Sequence, residues 1–321
     1  MGQPHHEISG KDGPAPNDIR PAMMVKYAIA GRVRGIKMKF GKCELCKQMR
    51  DLHDSHYAPK GGYKKNRADQ ITNPNPIAFV NGKAKQTSTQ IRDFKFCTEC
   101  EKRFNVGGES YVNSLIPEYG KDFELHKVLT TSRMERGLGG HLLFPAAKIP
   151  EVDLDRLIYF GMSMFWRGTR TWPPADGASP PRLLMNLRQE KAIRKFLLGH
   201  GPLPRDLAIM VAVWPFNQVS PAFLMPNEEA GLPRGRYWFY YGGLIYRLAL
   251  GKDIPHAFSE MCAYHKKVMS LSKELGESVH NALKAMVGQV DKSSITKTLK
   301  EVEIFKAQSP IRPSIHPPSG G

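Results

Sequence analysis

The stretch "FCTECEKRFN", residues 96–105, sets Cys97 and Cys100 three positions apart, with Glu101 directly after the second. Far upstream, "KCELCK" at residues 42–47 repeats the spacing with Cys43 and Cys46. Each C-x-x-C pair can place two thiolates on one ion, and four thiolates complete a tetrahedral zinc shell. The loop from Cys46 to Cys97 leaves 50 residues between them. Closing such a loop costs about 3–4 kcal/mol of chain entropy. Structural zinc contributes about 10–16 kcal/mol in small peptides, so the loop length is no obstacle. Cys43, Cys46, Cys97 and Cys100 therefore read as ligands of a structural Zn²⁺; the other reading is four reduced, buried cysteines. The fifth cysteine, Cys262, falls on the apolar face of a helical pattern and reads as core.

The chain has 321 residues, 41% of them hydrophobic and 9% aromatic, which suits a folded protein of one large or two modest domains. Its 47 Lys and Arg outnumber 30 Asp and Glu, a formal charge of +17. That excess favours a polyanionic partner, nucleic acid foremost; the plainer alternative is a basic surface that only aids solubility. The opening "MGQPHHEISGKDGPAPND" has no apolar run of the secretory kind. No stretch approaches the roughly 18 apolar residues of a membrane span. With the cysteines paired as metal ligands, the expected setting is reducing and cytoplasmic, without membrane contact.

The fold class expected is α+β. Residues 1–35 read as a mobile N-terminal segment, 36–112 as a zinc-knuckle module, 113–290 as a mostly helical domain, and 291–321 as a disordered tail. From Asp153, a candidate cap, Leu154, Leu157, Ile158, Met162, Phe165 and Trp166 share one helical face. "RLLMNLRQEKAIRKFLLGHG" predicts a second helix ending at Gly199 or Gly201. "LAIMVAVWP" predicts a buried strand stopped at Pro215, and "RYWFYYGGLIYRLALG" a β-hairpin near 236–250 around Gly242 and Gly243. Phe258, Met261, Cys262, His265, Val268 and Met269 predict a last amphipathic helix. "RMERGLGG" reads as a loop, and the four tryptophans as packing residues.

Between the cysteine pairs lies "LHDSHYAPKGGYKKNR", where His53, Asp54 and His56 cluster ahead of Lys60, Lys64, Lys65 and Arg67. A histidine beside a basic loop can take a proton from water near a phosphate. A surface histidine cluster is the equal alternative from spacing alone. Glu101 in a first helical turn is also favoured by the helix dipole without any ligand.

A C-x-x-C knuckle, then "DSHYAP", then a second C-x-x-C opening a helix resembles the HNH, or ββα-metal, endonucleases. The resemblance implies a treble-clef or ββα-metal-like zinc module, with the structural zinc holding a hairpin against a helix. In that family one histidine at a strand end activates water, and a second, directly after the last cysteine, binds a catalytic divalent metal. His56 matches the first, and Glu101 occupies the position of the second. A carboxylate suits Mg²⁺ or Mn²⁺, with Asp54 or Glu109 as further candidates. No Asn matches the residue that orients the first histidine; Gln90 or Asp93 stands nearest. The motifs "CELC", "DSHYAPK", "QTSTQ" and "CTECEKRFNVGGE" are still more similar to a family of uncharacterised bacterial and phage proteins over residues 43–112.

The resemblance thus implies a metal-dependent endonuclease, with His56, Glu101 and Gln90 as catalytic candidates. Lys39, Lys42, Lys60, Lys64, Lys65 and Arg67 are the nucleic-acid contacts expected. The alternatives are a zinc-stabilised nucleic-acid-binding module without a reaction, and an interaction or assembly protein in which the treble-clef-like element braces a partner surface; the C-terminal half is the expected place for any protein partner.

Overall fold

A computed structural model describes residues 38–292, apart from 66–76, 81–82, 88, 119–120, 135, 176, 178, 218 and 220–221. The expected mobile N-terminal segment, Arg67 and all but the first two residues of the expected tail lie outside the described residues.

The first cysteine pair sits in the turn of a hairpin. Strand β1 (Met38–Lys42) runs antiparallel to β2 (Met49–His56), with Met38 opposite His53 and Lys42 opposite Met49. The turn closes through Cys43 N–H to Gln48 O at 2.8 Å and Lys47 N–H to Cys43 O at 2.9 Å. A short helix α1 (Lys60–Lys65) and a small hairpin of β3 (Ile77–Val80) and β4 (Lys83–Gln86) follow. Strand β5 (Arg92–Cys97) returns along the free edge of β2 and runs straight into α2 (Thr98–Phe104). The register of β5 slips opposite His53 and Asp54. Such a bulge increases local twist. Leu52 and Ser55, three apart, are accordingly both buried, a spacing that a regular strand with its period of two does not give.

Helix α2 continues through a wide π turn, Asn105–Glu109, into α3 (Ser110–Leu115). The glycines of this turn let it cross another helix closely. A Cβ on Gly108 would lie 2.8 Å from both Arg156 O and Phe160 N. Those two atoms belong to α5 (Leu154–Gly168), which follows α4 (Glu124–Thr131), β6 (Arg136–Leu138) and β7 (His141–Pro145). Asp153 caps α5 by accepting from Arg156 N–H at 3.1 Å. Helix α5 is buried nearly all round, from Leu157 to Gly168, as a central core helix must be.

Helix α6 (Leu187–Leu197) opens with a capping box of Asn186 and Gln189. The remaining strands are β8 (Leu207–Val213), β9 (Phe223–Glu228), β10 (Arg236–Tyr241), β11 (Leu244–Leu250) and β12 (Val268–Ser272). Helices α7 (His256–Glu260) and α8 (Ala263–Lys266) precede β12, and α9 (Lys273–Gly288) follows it. The described strands from β6 onward form one seven-stranded sheet in the order β6-β7-β12-β8-β11-β10-β9. Every contact in it is antiparallel except β12 with β8. One apolar core joins the cysteine region to this sheet through α5. Phe96 packs against Phe104 and Trp166 at ring separations of 5.1 and 5.9 Å, and Phe160 against Tyr246 at 5.8 Å. No described helix is long and apolar enough to cross a membrane.

The region expected to be mostly helical is therefore built on a sheet. All of β8 is buried, and only Arg247 of β11 is partly exposed, so these strands carry no polar alternation to announce a sheet. The last helix expected across Phe258 to Met269 is instead α7, α8 and the start of β12. Lys267, in the left-handed region at φ 53°, breaks the helix before Val268. "RMERGLGG" is not a loop throughout, because Gly139 and Gly140, both at positive φ, turn β6 into β7.

Replacing Gly108 with Ala forces the π turn and α5 apart at a close contact with the α5 backbone. The expected outcome is a loss of about 1–3 kcal/mol, read as a lower midpoint in urea unfolding.

Candidate metal centre and adjoining cleft

The hairpin turn and the β5–α2 junction bring the two cysteine pairs together. The sulfurs of Cys43, Cys46, Cys97 and Cys100 all lie within 4.8 Å of one another. Sulfurs bound at about 2.3 Å around a tetrahedral zinc stand about 3.8 Å apart. Cys46 Sγ and Cys97 Sγ are separated by 3.9 Å. The backbone N–H of Cys97 donates to Cys43 Sγ at 3.5 Å. Arg194 of α6 donates to Leu45 O at 3.0 Å, bracing the knuckle from a distant helix.

Protonation shows the strain of four thiols in one place. Cys43 is pushed down to about 4, first by the hydrogen bond from the Cys100 thiol and then by backbone N–H groups. Cys97 is pushed up to about 12, chiefly by burial. Cys100 is driven up by its bond to Cys43, by burial and by the negative charge beside it. Cys43 takes a negative charge readily while Cys97 and Cys100 resist one, a conflict that a bound dication removes. The donor set fits a metal ion such as zinc.

Next to the sulfurs opens a cleft lined by His53, His56, Lys60, Glu101, Glu109 and Arg167, together with Pro59, Thr98, Lys102 and Asn105. His56 ends β2 and Glu101 stands in the first turn of α2, so the two catalytic candidates reach the same space. His53 joins them through the twist at the bulge, and its Nε2 is 2.7 Å from Thr98 Oγ1. Half-buried His56 has its pKa lowered, by burial first and then by Arg92, Lys60 and Arg167, with Asp54 opposing. A lowered pKa favours the neutral imidazole, the form that can accept a proton. The Glu101 pKa is raised by burial, with Glu109 adding to it while Arg167 and the Ser55 hydroxyl pull the other way. Its Oε1 is buried with no hydrogen-bond partner among the described residues. A hard cation is the kind of partner that such an orphaned carboxylate oxygen fits.

Glu109 enters the cleft because of the π turn. Eight residues along a regular helix turn a side chain about 80° off line, whereas seven leave it only about 20° off. The extra residue of the wide turn lets Glu109 stand as if seven from Glu101. Arg167, the buried cation near the end of α5, meets Glu109 Oε1 at 2.5 Å and Tyr57 O at 3.2 Å. Its guanidinium also lies 4.2 Å from the Phe104 ring.

Other candidates are placed differently. Gln90 does not line the cleft, and its Oε1 is buried without a partner among the described residues. It sits in the approach to β5, one residue before Ile91, whose carbonyl bonds Tyr57 N–H. Asn105, one turn beyond Glu101, carries an amide to the cleft instead, with Ser110 donating to its Oδ1. Asp54 faces Arg92 at 3.2 Å, outside the cleft lining. Lys39 and Lys42 are exposed on β1, and Lys60 is exposed at the rim. Lys65 donates to Ile116 O at 2.6 Å, so its charge is engaged at the end of α3. The side chain of Lys64 lies outside the described residues. Among those residues, the four cysteines are the only group of three or more His, Cys, Asp or Glu donors within reach of one ion.

Sequence reasoning passed over Lys102, Asn105 and Arg167. Asn105 was findable, four positions past Glu101 on the same helix. Arg167 was marked by its charge in the apolar run "MSMFWRG". Comparison with protein-family models, curated proteins and solved structures gives no match to this chain.

Elemental analysis of the purified chain is expected to give one zinc per molecule. Cys100→Ser should lose that zinc and unfold at lower urea; a metal-free chain with native stability contradicts the site.

Proposed function

We propose that the chain is a metal-dependent nuclease that hydrolyses phosphodiesters, built on a ββα-metal scaffold of the treble-clef kind with a structural zinc at the four cysteines. The observation that carries this reading is the convergence of His56 and Glu101 on one cleft beside the thiol cluster. Two residues 45 positions apart share that space, one a neutral imidazole and the other a carboxylate with an orphaned oxygen.

The roles follow from the chemistry of each group. His56 takes the proton from an attacking water, for which its lowered pKa keeps it free. Glu101 would hold a Mg²⁺ or Mn²⁺ ion, a kind of cation that commonly takes only one or two protein carboxylates. Such an ion, when bound, neutralises charge on the phosphate and the leaving oxygen. Lys60 and Lys102, at the cleft, position the phosphate backbone without reading sequence. Arg167 fixes Glu109 and keeps positive potential at the floor. The net charge of +17 supplies attraction at longer range.

A second reading, nucleic-acid binding without reaction, draws on the pairing of Glu109 with Arg167, which leaves Glu101 the one carboxylate of the cleft without an ion-pair partner among the described residues. Plasmid nicking separates the two. The chain with Mg²⁺ or Mn²⁺ is expected to nick, while His56→Ala and Glu101→Gln lose at least 100-fold in rate, on the order of general-base catalysis, and still bind DNA. Wild-type protein that binds but never nicks with either metal supports the second reading.

The pH profile provides an independent check. A base must be neutral to act, and the His56 pKa lies below the ordinary 6.5, so the acid limb of the rate should have its midpoint under that value. A limb centred above it excludes His56 as the base.

A further inference from the structure

The outer face of the β1–β2 hairpin is the strongest feature that the cleft leaves unused. Residues opposite each other across an antiparallel pair share a face. Met38, Phe40 and Lys42 of β1 therefore stand with His53, Asp51 and Met49 of β2. The opposite face packs inward, since a Cβ on Gly41 would meet Leu52 Cδ1 at 3.0 Å. On the outer face Phe40 is 66% exposed, Met49 57% and Met38 54%. Three large apolar side chains exposed together on one strand face form the kind of patch that marks an interaction site. The strip is continuous with the cleft, because Met38 pairs with His53, which lines it.

We infer that this strip is a docking track for a single-stranded polynucleotide, with Phe40 as a stacking platform that feeds the strand past His53 into the cleft. The inference rests on the nuclease reading for the direction of the strand, but not for the stacking itself. Charge decides the occupant. Lys42 lies two residues from Phe40 on the same face, Lys60 and Lys102 line the cleft ahead, and Lys39, opposite Leu52, belongs to the other face. Asp51 stands across from Phe40 as the acidic member of the face. An exposed aromatic ring with one lysine beside it and two more along the path to the cleft is an arrangement that binds unpaired bases, whose flat faces stack while the phosphates meet the lysines. A duplex keeps its bases stacked inside and offers Phe40 nothing.

The test measures binding of a fluorescein-labelled oligothymidylate, a duplex of matched length and inorganic polyphosphate to the full chain without divalent metal. The expected result is preference for the single strand over the duplex. Phe40→Ala should weaken single-strand binding about tenfold, the scale of one lost base–aromatic stack, and leave polyphosphate binding unchanged. Phe40→Trp should restore the affinity. Phe40 is exposed, so circular dichroism should show both variants folded. Three outcomes overturn the inference: equal affinity for single strand and duplex; a Phe40→Ala affinity equal to wild type; or a wild-type dimer in sedimentation that Phe40→Ala dissolves, which assigns the strip to a second copy. A chain that shows Phe40-dependent binding but never nicks plasmid keeps the track and loses the nuclease. One that nicks but is indifferent to Phe40 does the reverse.

Discussion

Four thiols gathered within 4.8 Å are the constraint on which the rest depends. Burial and the charge of neighbouring sulfurs hold Cys97 and Cys100 against ionising, an opposition that a cation among the four sulfurs removes. A cation held there ties the first hairpin to the start of α2. That junction places a strand end and a helix start side by side, which is how His56 and Glu101 come to line one cleft.

The second anchor is electrostatic and comes from the other half of the sequence. Arg167 is 1% exposed, and its burial is offset by Glu109, the Tyr57 carbonyl and the face of Phe104. Breaking a buried pair of this kind typically costs about 3–5 kcal/mol because the remaining charge is stranded. The pair ties α5, the central helix of the core, to the wall of the cleft. The geometry of the cleft is thus set by the large sheet and its helices as well as by the small cysteine-bearing sheet.

What the sequence revealed was the chemistry with strong local rules. The cysteine spacing led to a real cluster, Asp153 does cap α5, and α6 ends just before Gly199, which takes φ 74°. The hairpin around Gly242 and Gly243 and the stop of β8 before Pro215 also have local signals. What escaped was non-local. Strands buried on both faces, such as β8, look the same as buried helix by periodicity. The strand β12 was mistaken for helix because Val268 and Met269 fall at helical spacing from Phe258 by coincidence of burial. In the cleft, His56 and Glu101 were legible from motifs. Glu109 was also a candidate from its motif, Asn105 could have been found one turn past Glu101, and Arg167 needed the packing of α5, which has no sequence period. Gln90 was chosen by its place between the motifs, and the chain directs it elsewhere.

The order of strands in the large sheet has a consequence for synthesis. β12, the last described strand, lies between β7 and β8, so the two parts of the sheet meet only through residues 268–272. The cysteine cluster, by contrast, is complete once residue 100 has emerged. A nascent chain made from its N-terminus therefore has all four thiols available long before its largest sheet can close. A ribosome that stalls before residue 268 leaves β7 and β8 with bare edges, the kind that recruit neighbouring chains.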